Sequence, residues 1–336
     1  MPISTFDQIR EKLVATNRFV TTQLELTYRC NYECLHCYCV DQPAREELST
    51  AEFKAVIDEL YALGCMNITF TGGEAIIRKD FFELARYARD RRFVIRLFSN
   101  GHLLEGARLE QLLELKPISV DISLYGGSDE TYEAVTGEKN RFERVRRNVE
   151  ALVARGQRVI VKIPLMHESY HDIGRMIGWC REIGVPYLTD VWMTPKDDGS
   201  VKPALHALTD DEMTDFFRRF GTKAKKLVRE DDKAICTSAC SSPIVSPHGD
   251  VFACTQNKVP AGNVRETPLG EIWRGAGWMQ EIREVKWHRF TECRTCEFQE
   301  TCFICPAISL YENGRLEGPN SHACRVARIR HELGQV

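Results

Sequence analysis

Cysteines are the residues of this 336-residue chain whose number and spacing point most directly to chemistry. Four of the fourteen lie at positions 30, 34, 37 and 39, and eight crowd the last third. No apolar stretch approaches the about 18 residues of a membrane-spanning helix, and the N-terminus lacks the apolar core of a signal peptide. We therefore expect a cytoplasmic protein whose reduced thiols ligate metal. Cys65 and Cys180 stand alone and are predicted to be small buried hydrophobes.

The overall composition excludes several other classes of protein. Hydrophobic residues make up 43% and charged residues 28% of the chain, and the formal net charge is −3. These values are typical of a globular protein and predict no nucleic-acid or membrane partner. The length allows one large domain and a smaller one, each with its own core.

The first cysteine cluster has the spacing Cys30-x3-Cys34-x2-Cys37 and follows the strand-like segment TQLELTY. Three thiolates leave the fourth iron of a cubane cluster without a protein ligand, because closed four-iron clusters take four cysteines. An open position is what a catalytic metal requires. The alternative is a zinc site built from three of the four clustered cysteines. Cys39 is expected not to be a ligand.

Alternating strand and helix patterns surround this cluster. Strands are predicted at 22–28, 66–71, 93–99, 118–124, 158–164 and 186–193, with helices at 50–63, 80–90, 105–115, 141–154 and 170–182. Such β/α repeats predict a parallel sheet with right-handed crossovers. Six units are too few for a closed eight-stranded barrel, so we expect an α/β fold with a partial (β/α)6 barrel. The chemistry should gather at the C-terminal ends of its strands.

The cysteine loop resembles the cluster-binding loop of radical S-adenosylmethionine (SAM) enzymes. This resemblance implies that the open iron binds SAM through its amino and carboxylate groups. One electron then cleaves SAM to methionine and a 5′-deoxyadenosyl radical, which abstracts hydrogen from the substrate. His36 occupies the position before the third cysteine, where the family usually places an aromatic residue near the adenine.

Two later strand ends strengthen the resemblance. Gly72-Gly73-Glu74 follows the second strand and is similar to the family's GGE motif, which contacts the SAM amino group. Two glycines let a backbone approach a ligand closely. Ser99-Asn100 follows the third strand and resembles the family's T/S-N-G stretch. The resemblance therefore implies SAM contacts from both loops.

The fourth and fifth strands supply two more candidate SAM contacts. Ser123 resembles the serine that meets SAM near the ribose. Thr136 stands where some relatives have an arginine that binds the SAM carboxylate, which is a departure from the pattern. Lys162 on the fifth strand is the candidate replacement.

The C-terminal cysteines follow the patterns Cys236-x3-Cys240-x13-Cys254 and Cys293-x2-Cys296-x5-Cys302-x2-Cys305, with Cys324 last. Together they resemble a SPASM domain, which holds two auxiliary four-iron clusters. The resemblance implies that the first cluster takes Cys236, Cys240, Cys254 and Cys305, and the second Cys293, Cys296, Cys302 and Cys324. Cys236 and Cys240 are unusually close, so Cys240 is the residue that would drop out if the first auxiliary cluster is open. Structural zinc in a ribbon is the alternative.

The resemblance to enzymes with three [4Fe-4S] clusters leads to two functional hypotheses. The first is modification of a ribosomally made peptide by crosslinking or oxidation. The alternative is a small-molecule dehydrogenase or epimerase of aminoglycoside or porphyrin pathways; a zinc-binding module without catalysis is the third reading. Thr255 stands where sulfatase-maturating relatives have an acidic base, so that activity is not assigned. No catalytic base can be named from the sequence.

The domain plan follows from these patterns. We expect an N-terminal extension at 1–21, the barrel at 22–195, a linker with a helix at 209–226 within 196–230, and the SPASM domain at 231–336, which ends in a helix at 325–333. Twenty-one residues are too few for the winged-helix domain that binds leader peptides in several relatives. A peptide substrate would then need a separate recognition protein. Radical SAM chemistry also requires an external electron donor such as flavodoxin or ferredoxin.

Overall fold

A parallel sheet forms the centre of this computed structural model, which describes residues 12–335 except 14, 41, 197 and 225. The six predicted strands are all present, as β1 (Thr21–Glu25), β2 (Asn67–Thr71), β3 (Val94–Ser99), β4 (Ser119–Ser123), β5 (Val159–Pro164) and β6 (Tyr187–Asp190). Each pairs in parallel with the next along the chain. Within the described residues β6 does not pair with β1, so the predicted open barrel is confirmed. Most of the predicted N-terminal extension lies outside the described residues.

Helices connect successive strands. They are α1 (Thr50–Ala62), α2 (Phe81–Asp90), α3 (Gly106–Leu115), α4 (Asp129–Thr136), α5 (Phe142–Ala154) and α6 (Ile173–Glu182). The helix predicted at 170–182 begins only at Ile173, after a 3₁₀ helix at His167–Asp172. Helix α4 was not predicted. It begins where the Ser128 side chain accepts a hydrogen bond from the Thr131 backbone N–H.

Local capping explains where these helices begin. In α1 the Ser49 side chain accepts from the Glu52 N–H, and the Glu52 carboxylate accepts from the Ser49 N–H at 2.7 Å. This reciprocal pair satisfies two backbone donors that a helix start leaves free. The face of α1 that carries Phe53, Ile57 and Leu60 is buried against the sheet.

The segment after β6 contains a shorter helix than predicted. Helix α7 spans Asp210–Phe220, with Thr209 as its N-cap, so the prediction that it continues to 226 is wrong. The Gly221 N–H closes the last turn on the Phe217 carbonyl. Beyond it the chain packs on a distant loop, with the Leu227 N–H donating to the Glu300 carbonyl at 2.7 Å. Local periodicity cannot register this long-range pairing.

The cysteine-rich region continues the same sheet. Its elements are α8 (Ser238–Ser241), β7 (Ile244–Val245), β8 (Asp250–Phe252), β9 (Gly262–Asn263), α9 (Leu269–Gly275), α10 (Gly277–Arg283), α11 (Pro306–Asn313) and α12 (Ser321–Glu332). Strand β7 pairs in parallel with β1, and β8 and β9 follow it as an antiparallel extension. The described sheet therefore has nine strands in the order β6-β5-β4-β3-β2-β1-β7-β8-β9. The region that we predicted to be a separate domain from residue 231 is thus joined to the barrel sheet through β7.

The closing helix starts earlier than its predicted range of 325–333. Helix α12 begins after Asn320, whose side chain accepts from the Ala323 N–H, and this start places Cys324 in the first turn. Short 3₁₀ helices occupy Ala75–Ile77, Lys202–His206, Trp287–Arg289 and Cys293–Thr295.

One hydrophobic core runs from the barrel into the cysteine-rich region. It includes Leu24 and Phe70 from the barrel and Trp273 from α9, whose ring packs edge-on against Phe19 at 5.1 Å. Cys65 and Cys180 are buried within this core, as predicted. Among the described residues, no helix has the combination of length and apolar character needed to cross a bilayer.

Candidate functional site

The three cysteines of the C-x3-C-x2-C loop converge beyond the C-terminal end of β1. The pKa of the Cys30 thiol is raised to about 12, first by desolvation and then by the charges of Glu74 and Cys37. Burial also raises the pKa of Cys34 well above its ordinary value, with Cys37 and Cys30 adding to the effect. Thiols that shift one another's pKa lie close together. The Cys30 and Cys34 thiols therefore stay protonated until a metal displaces the proton.

Helix α4 holds this cysteine loop in place. The Glu33 N–H donates to the Thr136 carbonyl at 3.2 Å, and the Leu35 N–H donates to the Val135 carbonyl at 3.0 Å. The Thr136 side chain is fully buried and donates to the Tyr132 carbonyl at 2.7 Å. Thr136 therefore supports the loop from behind and does not face the site.

An aromatic cluster beneath the loop was missed by the sequence analysis. The Tyr32 ring packs edge-on against Tyr125 and Tyr132, with ring centroids 6.4 and 6.0 Å apart. Tyr32 lies between the first two cysteines and Tyr125 directly follows Leu124, so a tyrosine in each motif was the available signal. The cluster walls off the side of the loop that faces the core.

The glycine pair after β2 allows two loops to meet. The Gly73 N–H donates to the Thr27 carbonyl at 2.8 Å. A Cβ at Gly73 would lie 2.5 Å from the Arg29 carbonyl oxygen and 2.6 Å from that of Tyr28. Gly72 has a φ of +127°, which favours glycine. The pair therefore packs directly against the start of the cysteine loop.

The Glu74 carboxylate is fully buried and accepts hydrogen bonds from the end of β3 and the loop after it. It accepts from the Ser99 hydroxyl at 3.0 and 3.1 Å and from the Asn100 N–H at 2.8 Å. Burial raises its pKa to about 7, and these hydrogen bonds oppose the shift. Glu74 thus joins the loops after β2 and β3, and it lies beneath the surface on which a ligand would rest.

A cavity of about 360 Å³ opens above these loops. All the residues predicted to contact SAM line it except Glu74, together with the three thiols of the first cluster: His36, Gly72, Gly73, Ser99, Asn100, Ser123 and Lys162, with Cys30, Cys34 and Cys37. The structure adds Asp190, Thr194, Thr255 and Gln256, which the sequence analysis did not assign to SAM. One cavity therefore joins the cysteine loop to β5 and to the loops after β2, β3, β4 and β6.

His36 and Lys162 give this cavity its electrostatic character. Burial lowers the pKa of His36 to about 4, so its imidazole is neutral, and Nδ1 is buried with no hydrogen-bond partner among the described residues. Burial also lowers the pKa of Lys162 to about 8, against the opposing charge of Asp121, whose Oδ2 is 3.3 Å from Nζ. The residues that line the cavity thus include an imidazole whose Nδ1 has no hydrogen-bond partner among the described residues and an ammonium that is paired with Asp121.

The C-terminal cysteines form two groups. The pKa of Cys254 is raised to about 12 by burial and by Cys236 and Cys305. Burial raises the pKa of Cys240 too, but Arg283 lies against its thiol and opposes the shift. Cys240 thus neighbours both Cys236 and an arginine. The first predicted set of thiols is brought together, with Cys240 at its margin.

The second group lines a separate cavity of about 490 Å³, which contains Cys293, Cys296, Cys302 and Cys324. Burial raises the pKa of Cys302 to about 12, and Cys324 adds to the effect. Cys302 and Cys305 face different groups although only two residues separate them, as the SPASM resemblance implied. Ligation by these thiols stays a prediction.

An open parallel barrel with three converging thiols at its mouth defines a class of barrel enzyme that binds an iron–sulfur cluster. Residues 24–180 match the sequence profile of the radical SAM superfamily, and residues 236–297 match that of the SPASM iron–sulfur cluster-binding domain. The chain is 34% identical to an Fe-coproporphyrin III synthase of Methanosarcina barkeri, over 92% of this chain and 88% of that protein.

Two further comparisons, one with a curated relative and one with a solved structure, agree with this family assignment and with the fold. The mycofactocin maturase MftC of Mycobacterium tuberculosis is 25% identical over 91% of this chain and 85% of its own length. The crystal structure of Streptococcus suis SuiB bound to precursor peptide SuiA superposes with a TM-score of 0.71 at 14% identity, covering 94% of this chain and 80% of SuiB. The chain belongs to the radical SAM superfamily and carries a SPASM domain. It is therefore a radical SAM enzyme, and the cofactors of this family are SAM and a four-iron cluster.

Proposed function

We propose that this enzyme is an oxidoreductase that abstracts hydrogen from a ribosomally made peptide and leaves it crosslinked or oxidised. Cys30, Cys34 and Cys37 would hold the SAM-cleaving cluster. When bound, that cluster and SAM supply a 5′-deoxyadenosyl radical. Net removal of two hydrogens from the substrate requires a place for one further electron and one proton.

The observation that carries the oxidative part of this proposal is the lining of the cavity of about 360 Å³ above the cysteine loop, which we call the SAM cavity. Thr255 and Gln256 directly follow Cys254 in the chain and form part of the cavity wall. A substrate residue in the cavity would therefore lie between the cysteine loop and residues 254–256, which we call the Cys254 turn. Cys236, Cys254 and Cys305 would hold an auxiliary cluster beside that turn, where it supplies an electron acceptor.

The chain's own residues would bind SAM at its polar ends. The backbone at Gly72 and Gly73 meets the amino group, the neutral His36 ring orients the adenine, and Ser123 meets the ribose. Lys162 would bind the SAM carboxylate by sharing its charge with Asp121. Glu74 would act indirectly, because its buried carboxylate fixes Ser99 and Asn100.

Three four-iron clusters are the proposed complement. Cys293, Cys296, Cys302 and Cys324 would close the second auxiliary cluster, and Cys240 would be the fourth ligand of the first. About twelve irons per chain are expected after anaerobic reconstitution, three cubanes of four irons. About four irons together with bound zinc would contradict the auxiliary assignment.

The proposed partners follow from the substrate class. The structure of SuiB bound to precursor peptide SuiA supports a peptide partner, and the likeness to the mycofactocin maturase is consistent with maturation of a product. A separate protein would present the leader segment, and flavodoxin or ferredoxin would supply electrons in the cytoplasm. The likeness to Fe-coproporphyrin III synthase favours formation of an iron porphyrin as the second candidate activity, with an iron tetrapyrrole precursor as the substrate.

Mass spectrometry of reaction mixtures tests the proposal. The reconstituted enzyme is incubated without oxygen with SAM, reductant and either candidate precursor peptides or iron porphyrins and related iron tetrapyrroles, including those from which Fe-coproporphyrin III could form. We expect 5′-deoxyadenosine and a peptide that has lost two hydrogens, and Cys30→Ala should form neither. Conversion of the porphyrin with no change in any peptide would select the second candidate. Absence of 5′-deoxyadenosine in every mixture would refute both.

A further inference from the structure

The outer edge of β6 is the open end of the described sheet. Strand β6 pairs with β5 on one side, and no other described strand pairs with it. The carbonyls of Pro186 and Asp190 accept hydrogen bonds from the Val161 and Leu165 N–H groups at 2.9 and 2.8 Å, so these residues face β5. Backbone groups of successive residues point to opposite sides of a strand. Tyr187 and Thr189 therefore direct their N–H and C=O groups to the open edge.

A cavity of about 300 Å³ lies beside this edge. Its walls are residues 189–192, aromatic side chains of α7 at Phe216 and Phe220, and the small residues Ala323 and Ala327 of α12. Phe303 also lines the cavity, with 56% of its surface exposed, and Leu188 on β6 is 58% exposed. Exposed apolar side chains beside an unpaired strand edge mark an interaction site or an aggregation hazard.

One residue that lines this cavity has a buried donor with no acceptor among the described residues. Arg330 lines the wall, and its Nε is buried without a hydrogen-bond partner there, although its Nη2 donates to the Thr222 carbonyl at 2.9 Å. Leaving a buried charged donor unsatisfied is costly. A carbonyl oxygen brought into the cavity would satisfy it once the Arg330 side chain turns its Nε towards the cavity.

The cavity also lies next to the reaction site along β6. Asp190 lines both this cavity and the SAM cavity, and β6 ends at the same mouth of the barrel as the other parallel strands. An extended chain laid along β6 would therefore deliver its adjoining residues towards the cysteine loop.

We propose that the open edge of β6 binds an extended segment of the peptide substrate as an added strand. This inference rests on the proposed function, because it assumes a peptide. Backbone groups of the segment pair with Tyr187 and Thr189, one of its carbonyls accepts from Arg330, and an apolar side chain fills the pocket beside Phe220 and Phe303. Main-chain pairing supplies affinity, and the side-chain pocket supplies selectivity. An iron porphyrin has no row of amides with which to form this ladder.

Replacement of Thr189 by proline tests the inference. Thr189→Pro removes the N–H that faces the open edge and leaves the β5 ladder intact, since proline is tolerated at such edge positions. Thr189→Val keeps the N–H and is the matched control. The probe is a fluorescein-labelled twelve-residue peptide, selected as the tightest ligand of a random displayed library against the reconstituted full-length enzyme with SAM.

We expect fluorescence anisotropy to show wild-type affinity for Thr189→Val and affinity about two- to tenfold weaker for Thr189→Pro, the loss of one backbone hydrogen bond. Phe303→Ala, at an exposed position, should weaken binding as well. SAM cleavage without peptide should be the same in all of these variants. Equal affinities of the proline and valine variants would overturn the inference.

A change in the probe keeps the test valid if Thr189→Pro does not fold. N-methylation of alternate amides in the peptide should weaken binding to the wild-type enzyme in one register and not in the other. Binding should also slow hydrogen exchange at the Thr189 amide. Equal binding in both registers would overturn the inference. If the wild-type enzyme modifies the peptide although neither change alters binding, only the docking edge is wrong and the proposed function stands.

Discussion

At the scale of single residues, the surroundings of the cysteine loop favour protonated thiols, whereas a bound cluster requires thiolates. Desolvation and the Glu74 carboxylate keep the Cys30 pKa at about 12, yet a cluster needs thiolates. The iron must therefore outweigh the cost of ionising these thiols. Cys39 lines the same cavity as these three cysteines, and the Cys37 Sγ lies 3.8 Å from the Cys39 carbonyl oxygen.

The two cysteines Cys34 and Cys39 give a matched pair of variants. Cys34→Ala should lose SAM cleavage and about four irons per chain, because a cubane needs the third thiolate. Cys39→Ala should keep both. Iron analysis and chromatography of 5′-deoxyadenosine are the measurements. A Cys39→Ala enzyme that lost its iron would make Cys39 a ligand.

Lys162 predicts a pH dependence of stability. Its pKa falls from 10.5 to about 8 on folding, because burial disfavours the charged ammonium. Between these values the unfolded chain binds the proton and the folded chain does not, so the Lys162 contribution to stability should increase with pH. Below about pH 8 Lys162 is charged in both states, and the cost of burying it is constant.

Thermal melting of the wild-type protein and of Lys162→Met at several pH values between about 8 and 10.5 checks this prediction. The difference in stability between the two proteins should shift in favour of the wild type as the pH rises. Lys162→Met provides the control for the other groups that titrate in this range. A pH-independent difference would show that Lys162 keeps its ordinary pKa.

At the scale of elements, the site depends on close contacts between loops that follow different strands. The loop after β2 touches the cysteine loop through Gly73, and the loop after β3 is tied to it through Glu74. Helix α4 supports the cysteine loop from the other side through the Thr136 and Val135 carbonyls. The geometry of the thiols is thus set by backbone contacts from three elements.

Gly73→Ala should disrupt this arrangement. The added methyl group meets the carbonyl oxygens of Arg29 and Tyr28, so the cysteine loop must shift, at a cost of about 1–3 kcal/mol. SAM cleavage should fall with it. Gly178→Ala is the control, because no atom lies within 4 Å of its added Cβ and the position is helical.

We expect Gly178→Ala to be neutral or stabilising by up to about 1 kcal/mol. Thermal melting and 5′-deoxyadenosine formation measure both variants. Wild-type behaviour of Gly73→Ala would mean that the cysteine loop tolerates displacement.

At the scale of the whole molecule, a buried ion pair joins the barrel to the cysteine-rich region. The Lys258 ammonium lies 2.8 Å from both carboxylate oxygens of Glu25 on β1, and both side chains are almost fully buried. The Tyr28 hydroxyl donates to the same carboxylate at 2.9 Å. Lys258 is four residues beyond Cys254, so this pair fixes the turn that borders the SAM cavity.

Removal of one partner of this pair should destabilise the protein strongly. Glu25→Leu or Lys258→Met alone should cost about 3–5 kcal/mol, because each removes the opposite charge that lies against the remaining buried group. The double variant should cost much less than the sum of the two. Chemical unfolding of the four proteins measures this coupling, and additive losses would show that the two side chains act independently.

The sequence was sufficient for the features that repeat locally along the chain. The alternation of strand and helix patterns predicted six parallel strands and an open barrel, whereas the donor sets that the family resemblance implied stay predictions. Helix α4 was missed because its eight residues, Asp129–Thr136, show only a short apolar pattern. The extent of α7 was overestimated because a distant loop competes for the chain after Phe220.

Tertiary structure alone decided how these parts meet. The pairing of β7 with β1 and the contact of Lys258 with Glu25 join residues more than 200 positions apart. Whether Glu74 faces a ligand or its own protein, and which thiols neighbour Cys240, depended on packing between loops. Local spacing determines which atoms are available for chemistry, but long-range burial and hydrogen bonding determine which of them come together.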